Sequence, residues 1–484
     1  MKVLLISHGF PPVVHSGTFR SEAFARYLPE FGIQPVVLAG SDGYKVLEYT
    51  NGVQESVPPP CEIVRIPWFA NSGQSVSPFL KVLRRFPIGW TLGRVWEQIQ
   101  IDRRVLPTAL KLVADHDPQA IFATAPPWNA LPLARKLARQ TSLPYVCDLR
   151  DPWTYYSYAT YRHWVDFLSA RYTERSVLSS ARCVLANTPT AKRMLVEKIQ
   201  VPARQVLVLP NGYDESQFQT VKSRANGPLS PGKFVIAYTG LLSSRAPMRT
   251  GLKETWKRCL GLDYRPVRSD PETRSPFWFL AALRSLLEQR PELRQVLETW
   301  FVGAFSAADE RHFAEFSFPE CIRVTPPVNA PEAISIACRA DLLLLLQIEM
   351  RLDDVDFCTA VPGKLFAYLR TGTPILAPMQ SSDGTRLIEQ FQAGVVVAPR
   401  DVQGIARAIE SAVDRWHAGN WLGKREIASE LVRYERRSLT KQLAEILFHV
   451  TEQRRGFRAP FLEDARRCGV TDGQSDEFYF SSWD

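Results

Sequence analysis

Short runs that are apolar throughout recur along this chain, and most are followed by a stretch of helical spacing. Val3 to Ile6 is the first. It ends in Ser7-His8-Gly9, and Phe10-Pro11-Pro12 then leads into a loop through His15, Ser16 and Gly17. Phe19, Ala23, Phe24, Tyr27, Leu28 and Phe31 repeat as one face of a helix. Gly32 caps it, and a strand is expected at 36–39. Runs at 120–123, 145–147 and 184–186 continue the alternation. Apolar runs without a polar face suit strands covered on both sides, as in parallel sheets. The alternation therefore predicts an α/β, doubly wound sheet, whose ligands bind beyond the carboxyl ends of the strands.

The pattern then starts again. Residues 219–232 are rich in Ser, Gly, Pro, Asn and Lys and read as a linker. A second unit opens at 234–238, turns at Thr239-Gly240, and continues with strands expected at 300–302, 342–346 and 395–397. Two such units predict two Rossmann-like domains facing a cleft, residues 1–218 and 233–425. Residues 246–275 are long and charged for a crossover and read as an insertion. Within them Leu252, Trp256, Cys259 and Leu260 make an apolar stripe beside Lys253, Lys257 and Arg258. A helical segment is expected at 426–455, and the tail 456–484 is not assigned.

The stretch VPGKLFAYLRTGTPILA, 361–377, carries the clearest chemistry. Pro362 and Gly363 break what precedes them, Lys364 falls in the first turn of a helix, and Gly372 with Pro374 ends it. Free amides, the positive end of the helix dipole and an ammonium make an anion site suited to a diphosphate. The competing reading is a solvated lysine on a packing helix. Other candidates follow buried strands directly: Pro127 and Trp128 after one, Asp148, Arg150 and Asp151 after the next. There they either face the cleft or brace its loops.

Charge and cysteine usage narrow the class. The 484 residues carry a net charge of +9, which fits an anionic partner. No RNP, zinc-finger or P-loop pattern points to nucleic acid, and no G-x-G-x-x-G to a nicotinamide cofactor. The eight cysteines form no C-x-x-C pair, so a reducing compartment and no metal site are expected. The first apolar run is too short for a signal peptide, and no run approaches the ~18 residues of a membrane span. Residues 63–96 contain no Asp or Glu and mix Arg65, Lys81, Arg84, Arg85 and Arg94 with aromatics. That segment either rests on an anionic surface or buries its aromatics in a core.

Taken in order, FPPVVHSGTFRSEAFARYLPEFG, the PPW after the 120–123 run, YVCDLRDPWT, LANTPTAKRML, LPNGYD, YTGLL and VPGKLFAYLRTGTPIL resemble the family-four, GT-B fold glycosyltransferases of bacterial surface-polysaccharide synthesis. The resemblance runs from Met1 to about His449, apart from 246–275. It implies transfer of a sugar, with retention, from a nucleotide-diphosphate sugar to a lipid-linked or saccharide acceptor. No metal or other cofactor is implied. The donor would sit mostly in the second domain and the acceptor mostly in the first, and the last helix would cross back.

By position, the resemblance assigns Arg245 and Lys364 to the diphosphate leaving group. It places Gly17, Gly240, Pro362, Gly363 and Tyr368 around the donor. His15, Pro127, Trp128, Asp148, Arg150 and Asp151 fall on the acceptor side. Two positions depart from it. Ala367 stands where the family usually has a ribose-binding Glu, and Leu131 where many relatives have a His near the reacting sugar. The leading expectation is a cytoplasmic transferase, peripheral on the inner membrane. One alternative is a catalytically weak binder of nucleotide or partner. Another is a sugar-nucleotide epimerase, for which His8 and His15 are the nearby candidate bases.

Overall fold

The computed structural model describes residues 1–12, 16–41, 61–69, 87–222, 227–242, 264–353, 355–421 and 423–452. The calls on His15, on Arg245, on the basic stripe at 252–260, on Lys81, Arg84 and Arg85, and on the tail lie outside them.

The first sheet contains β1 (Lys2–Ser7), β2 (Gln34–Gly40), β3 (Glu62–Ile66), β4 (Ala120–Ala125), β5 (Tyr145–Leu149), β6 (Cys183–Ala186) and β7 (Val206–Val208). Its order is β3-β2-β1-β4-β5-β6-β7, and every pairing is parallel. The chain leaves β1 toward one edge and returns at β4 toward the other. The crevice of the sheet therefore opens at the ends of β1 and β4. Helices α1 (Ser16–Tyr27), α2 (Pro87–His116), α3 (Ala130–Thr141), α4 (Trp164–Ser179) and α5 (Pro189–Glu197) cover its two faces. The long helix α2 was not expected; its Pro107 stands inside the helix, and the flanking Val105, Leu106 and Ala109 are buried in the core.

The second sheet is also all parallel. Its strands are β8 (Phe234–Thr239), β10 (Leu297–Val302), β11 (Ile322–Thr325), β12 (Leu342–Leu344), β15 (Ile375–Pro378) and β16 (Gly394–Val397). The helices around it are α6 (Glu215–Lys222), α7 (Phe277–Gln289), α8 (Ala307–Ala314), α9 (Ala330–Arg339), α10 (Gly363–Thr371), α11 (Asp383–Gln390) and α12 (Val402–His417). Its switch point lies between β8 and β12. Tyr213, Phe218 and Val221 pack in the core of this second domain. Packing therefore changes domain before the Ser/Gly/Pro-rich stretch, because α6 buries its apolar face against the second domain.

The last helix, α13 (Arg436–Glu452), returns to the first domain. Leu439, Leu443, Ala444, Leu447 and Val450 share a core cluster with Val3, Phe24 and Leu28. Burying a leucine fully contributes about 1.5–3 kcal/mol, so this stripe ties the chain's end firmly to its beginning.

A third, antiparallel sheet joins the domains: β9 (Arg268–Asp270), β13 (Glu349–Leu352) and β14 (Val355–Asp356), in the order β14-β13-β9. Val267, Ile348, Met350, Leu352 and Cys358 are buried in the same cluster as the first domain's Tyr155, Tyr161 and Phe167. Tyr161 and Tyr264 exchange two main-chain hydrogen bonds of 2.9 and 2.8 Å. The Ser269 hydroxyl donates to the Ser157 carbonyl at 2.8 Å. Residues 264–275, read in sequence as insertion, are thus half of a clasp between the domains.

Candidate functional site

Helix α10 begins where its sequence breaks predict. Pro362 stands at its N-cap with no side-chain cap, and Gly372 ends it in the left-handed conformation at φ 75°. Leu365, Phe366, Tyr368 and Leu369 face the core. That leaves Lys364 on the side toward the end of β8, where its Nζ lies 3.8 Å from the centroid of the Tyr238 ring. The ammonium is shut off from solvent and has no hydrogen-bond partner among the described residues. Burial, and then the charge of Arg274, hold Lys364 well below the usual lysine range.

Gly240 completes this wall. Its φ of +112° lies where side chains are disfavoured. A Cβ there would also stand 3.1 Å from the Lys364 ammonium. The turn is fixed from below by Tyr368, whose hydroxyl accepts the Thr239 amide at 3.0 Å. Tyr368 is buried, so it supports the site rather than lining it. Gly363 is exposed at the helix start, with open space where a Cβ would be. Pro362 beside it is half-buried. Gly17 falls in the first turn of α1 and is half-buried.

The charges after β5 separate into different roles. Asp148 is fully buried and held by Arg20 through two bonds of 3.1 and 2.8 Å, with the Thr124 hydroxyl donating at 2.8 Å. Arg20 also donates to the carbonyls of Leu209 and Pro210 at 2.9 and 2.5 Å. Of the two readings open for Asp148, the bonds show the brace: its carboxylate ties β5 to α1, and through Arg20 to the exit of β7. Arg150 is buried too, and its guanidinium bonds the carbonyls of Ala125, at 3.2 Å, and Pro126. It clamps the exit of β4 rather than facing open solvent.

Asp151 is the half-buried member of the three. Burial pushes its carboxyl up to about 6, against the pull of Arg150 and Arg274. Beside it in the same loop system, Pro127 is half-buried, and the Trp128 ring meets Tyr156 edge-on at 5.2 Å. Leu131 is fully buried in α3, so that position is a core position here. Ala367 is half-buried against the second domain's core. His8 is buried with the rings of Trp68 and Phe69 each 5.1 Å away, which makes it part of a packed aromatic cluster.

Arg274 was not singled out from the sequence. It ends the 3-10 turn Pro271–Arg274, whose Asp270 cap accepts the Glu272 amide at 3.0 Å. Its charge acts on Asp151 from one domain and on Lys364 and Tyr238 from the other. One signal pointed to it: it lies three residues before the helix Phe277–Gln289, the next helix described after the domain's first strand, and such positions lie at the carboxyl edge of the sheet. Among the described residues the cleft thus presents two cations, Lys364 and Arg274, and one carboxylate of raised pKa, Asp151. Among the described residues no group of three or more His, Cys, Asp or Glu could hold a metal ion. The six described cysteines are free thiols.

The two facing parallel sheets form the GT-B fold. Residues 18–212 match the family profile described as glycosyl transferase 4-like domain, which spans the first domain and its clamped loops. No curated protein matches the chain in sequence. Sucrose-phosphate synthase from Thermosynechococcus elongatus superposes with a TM-score of 0.57 at 13% identity, over 93% of this chain and 99% of that one. A trehalose-6-phosphate protein from E. coli bound with UDP-2-fluoro glucose gives 0.52 at 11%, over 96% and 99%. UDP-GlcNAc 2-epimerase from Neisseria meningitidis, bound to UDP-GlcNAc, gives 0.50 at 13%, over 93% and 100%. At such identities these likenesses establish the fold.

Proposed function

We propose that the chain transfers a sugar, with retention and without a metal, from a nucleotide-diphosphate sugar to a lipid-linked or polysaccharide acceptor in cell-surface glycan synthesis. One observation carries the reading. A buried ammonium, Lys364, which has no hydrogen-bond partner among the described residues, stands at an uncapped helix start within the field of a second cation, Arg274. A diphosphate supplies the missing charge. As the glycosidic bond breaks, negative charge grows on the leaving nucleotide, and fixed cations there stabilise the transition state more than the ground state.

Across the cleft, Asp151 has the chemistry to accept a hydrogen bond or a proton from an acceptor hydroxyl. The basic balance of the chain fits an acceptor presented at an anionic membrane face. No described helix is long and apolar enough to cross a membrane, so contact would be peripheral.

Epimerases share the fold, so the chemistry has to be separated by experiment. Pure protein is incubated with UDP-, GDP- and ADP-sugars, with and without a lipid extract. Release of nucleoside diphosphate with a glycosylated product supports transfer. Interconversion of the sugar overturns it in favour of an epimerase. Tight nucleotide binding with neither product overturns it in favour of a binding protein.

A further inference from the structure

Half of the exposed large apolar side chains of the described chain stand on two neighbouring helices. On α2 they are Leu92, Val95, Trp96 and Ile99; on α4 they are Trp164, Val165, Leu168 and Tyr172. Their exposures run from 37% to 75%. The spacing on α2 is that of a single helix face. The helices are pinned together at their N-terminal ends. Arg94 pairs with Asp166 at 2.5 Å and donates to its carbonyl at 2.7 Å, and the Thr91 hydroxyl reaches the same carboxylate at 3.2 Å. The exposed residues therefore belong to one joined pair of helices, and so many together need an explanation that isolated exposed leucines would not.

The charges around the patch have been sorted by sign. Asp102, Asp166 and Glu174 are buried. Asp102 is paired with Lys136 at 3.0 Å, and Asp166 with Arg94. Within 92–103 and 162–175 Glu97 is the acid left exposed, whereas Arg103, Arg162 and Arg175 are exposed cations. Two tryptophans and a tyrosine within an apolar patch, rimmed by arginines, have the composition of a surface that lies in the headgroup region of a bilayer. A second copy of the chain would bring the same cations face to face; an anionic leaflet neutralises them.

We propose that the α2/α4 face docks the protein on an anionic membrane leaflet. This deepens the reading of a membrane-presented acceptor by naming the surface that meets the lipid. It is a surface of the first domain, the domain expected to hold the acceptor, whereas Lys364 stands on a helix of the second. The two functions can therefore be lost separately.

The test is flotation of the full chain with vesicles of phosphatidylglycerol and phosphatidylcholine, or of phosphatidylcholine alone. Binding to the anionic vesicles that weakens with salt is expected, with little binding to neutral ones. The triple variant Trp96→Ser, Trp164→Ser, Leu168→Ser should reduce anionic binding by about tenfold or more. Arg103→Gln with Arg175→Gln should flatten the salt dependence. UDP affinity should be unchanged in both, which separates a failed docking face from a failed nucleotide site. Vesicle binding by the triple variant equal to wild type overturns the proposal. So does a wild-type dimer that the triple variant abolishes, since a second copy then covers the face.

Discussion

The Nζ of Lys364 lies 3.8 Å from the centroid of the Tyr238 ring, and no hydrogen-bond acceptor among the described residues meets it. The ring face offsets about 2 kcal/mol of the ammonium's desolvation at best. A buried charge left in this state costs stability that a bound anion returns. Lys364→Met is therefore expected to weaken UDP binding by about 1.5–3 kcal/mol while raising the melting temperature of the free protein. The sign follows from the lowered lysine pKa. Above the ordinary lysine value, about 10.4, wild type carries no charge penalty, and the penalty grows as pH falls. The variant's stability advantage should be present at neutral pH and fade toward pH 10. Calorimetry with UDP and melting curves across that range test both halves; unchanged UDP affinity removes Lys364 from the site.

The charge of Arg274 acts on groups of both domains, so its removal should be read at two places. Arg274→Ala is expected to weaken UDP binding by about 1.5–3 kcal/mol, the range for hydrogen bonds to charged groups. It also withdraws a charge that lowers the Asp151 pKa. The Asp151 carboxyl, raised to about 6, should give transfer an acid limb near that pH, with activity rising as it ionises. Arg274→Ala should move the limb upward, and Asp151→Asn should flatten it. An acid limb that survives Asp151→Asn unchanged assigns it to another group.

The clasp makes the domains mechanically dependent. Met350 and Val267 from the second domain's side are buried in the first domain's core. The Thr190 amide donates to Asp383 at 3.0 Å, and the Thr188 hydroxyl to the Thr359 carbonyl at 3.0 Å. Urea unfolding should therefore be a single transition by tryptophan fluorescence and circular dichroism alike. Met350→Ala should cost about 2–5 kcal/mol or split that transition in two. A variant as stable and as cooperative as wild type would mean that the clasp does not couple the domains.

The doubly wound architecture was legible because buried parallel strands leave apolar runs and helix ends leave Gly and Pro, as at Ile375–Pro378 and Gly372. The start of α10 and its lysine were legible for the same local reason. What sequence could not resolve is which charge after a strand is spent on a brace. Asp148 and Asp151 are three residues apart, yet the first is bonded by Arg20, 128 residues away, while the second lies in the field of Arg150 and Arg274. Nothing local encodes such a partner. The clasp was hidden likewise, since β9 pairs with β13 across about eighty residues, and its short polar strand resembles a loop.

The last prediction concerns the loop that carries Asp151. Glu174 of α4 is fully buried, and its carboxylate accepts the Thr154 amide at 3.1 Å and the Thr154 hydroxyl. Its second oxygen has no partner among the described residues. Burial pushes the carboxyl up to about 7, although the bonds from Thr154 pull it down. The fold therefore prefers the protonated acid. For a group whose folded pKa is raised, the stabilisation is complete below the unfolded value and is lost as pH rises through the folded one. Here that window runs from the ordinary glutamate value to about 7. Glu174→Gln keeps the acceptor for Thr154 and cannot ionise. The stability difference, variant minus wild type, should grow by an amount on the order of 3 kcal/mol between pH 5 and pH 8. Urea midpoints measured at those two values decide it. A difference that stays constant across the window means that Glu174 does not titrate there and that Thr154 is held by a permanently charged carboxylate.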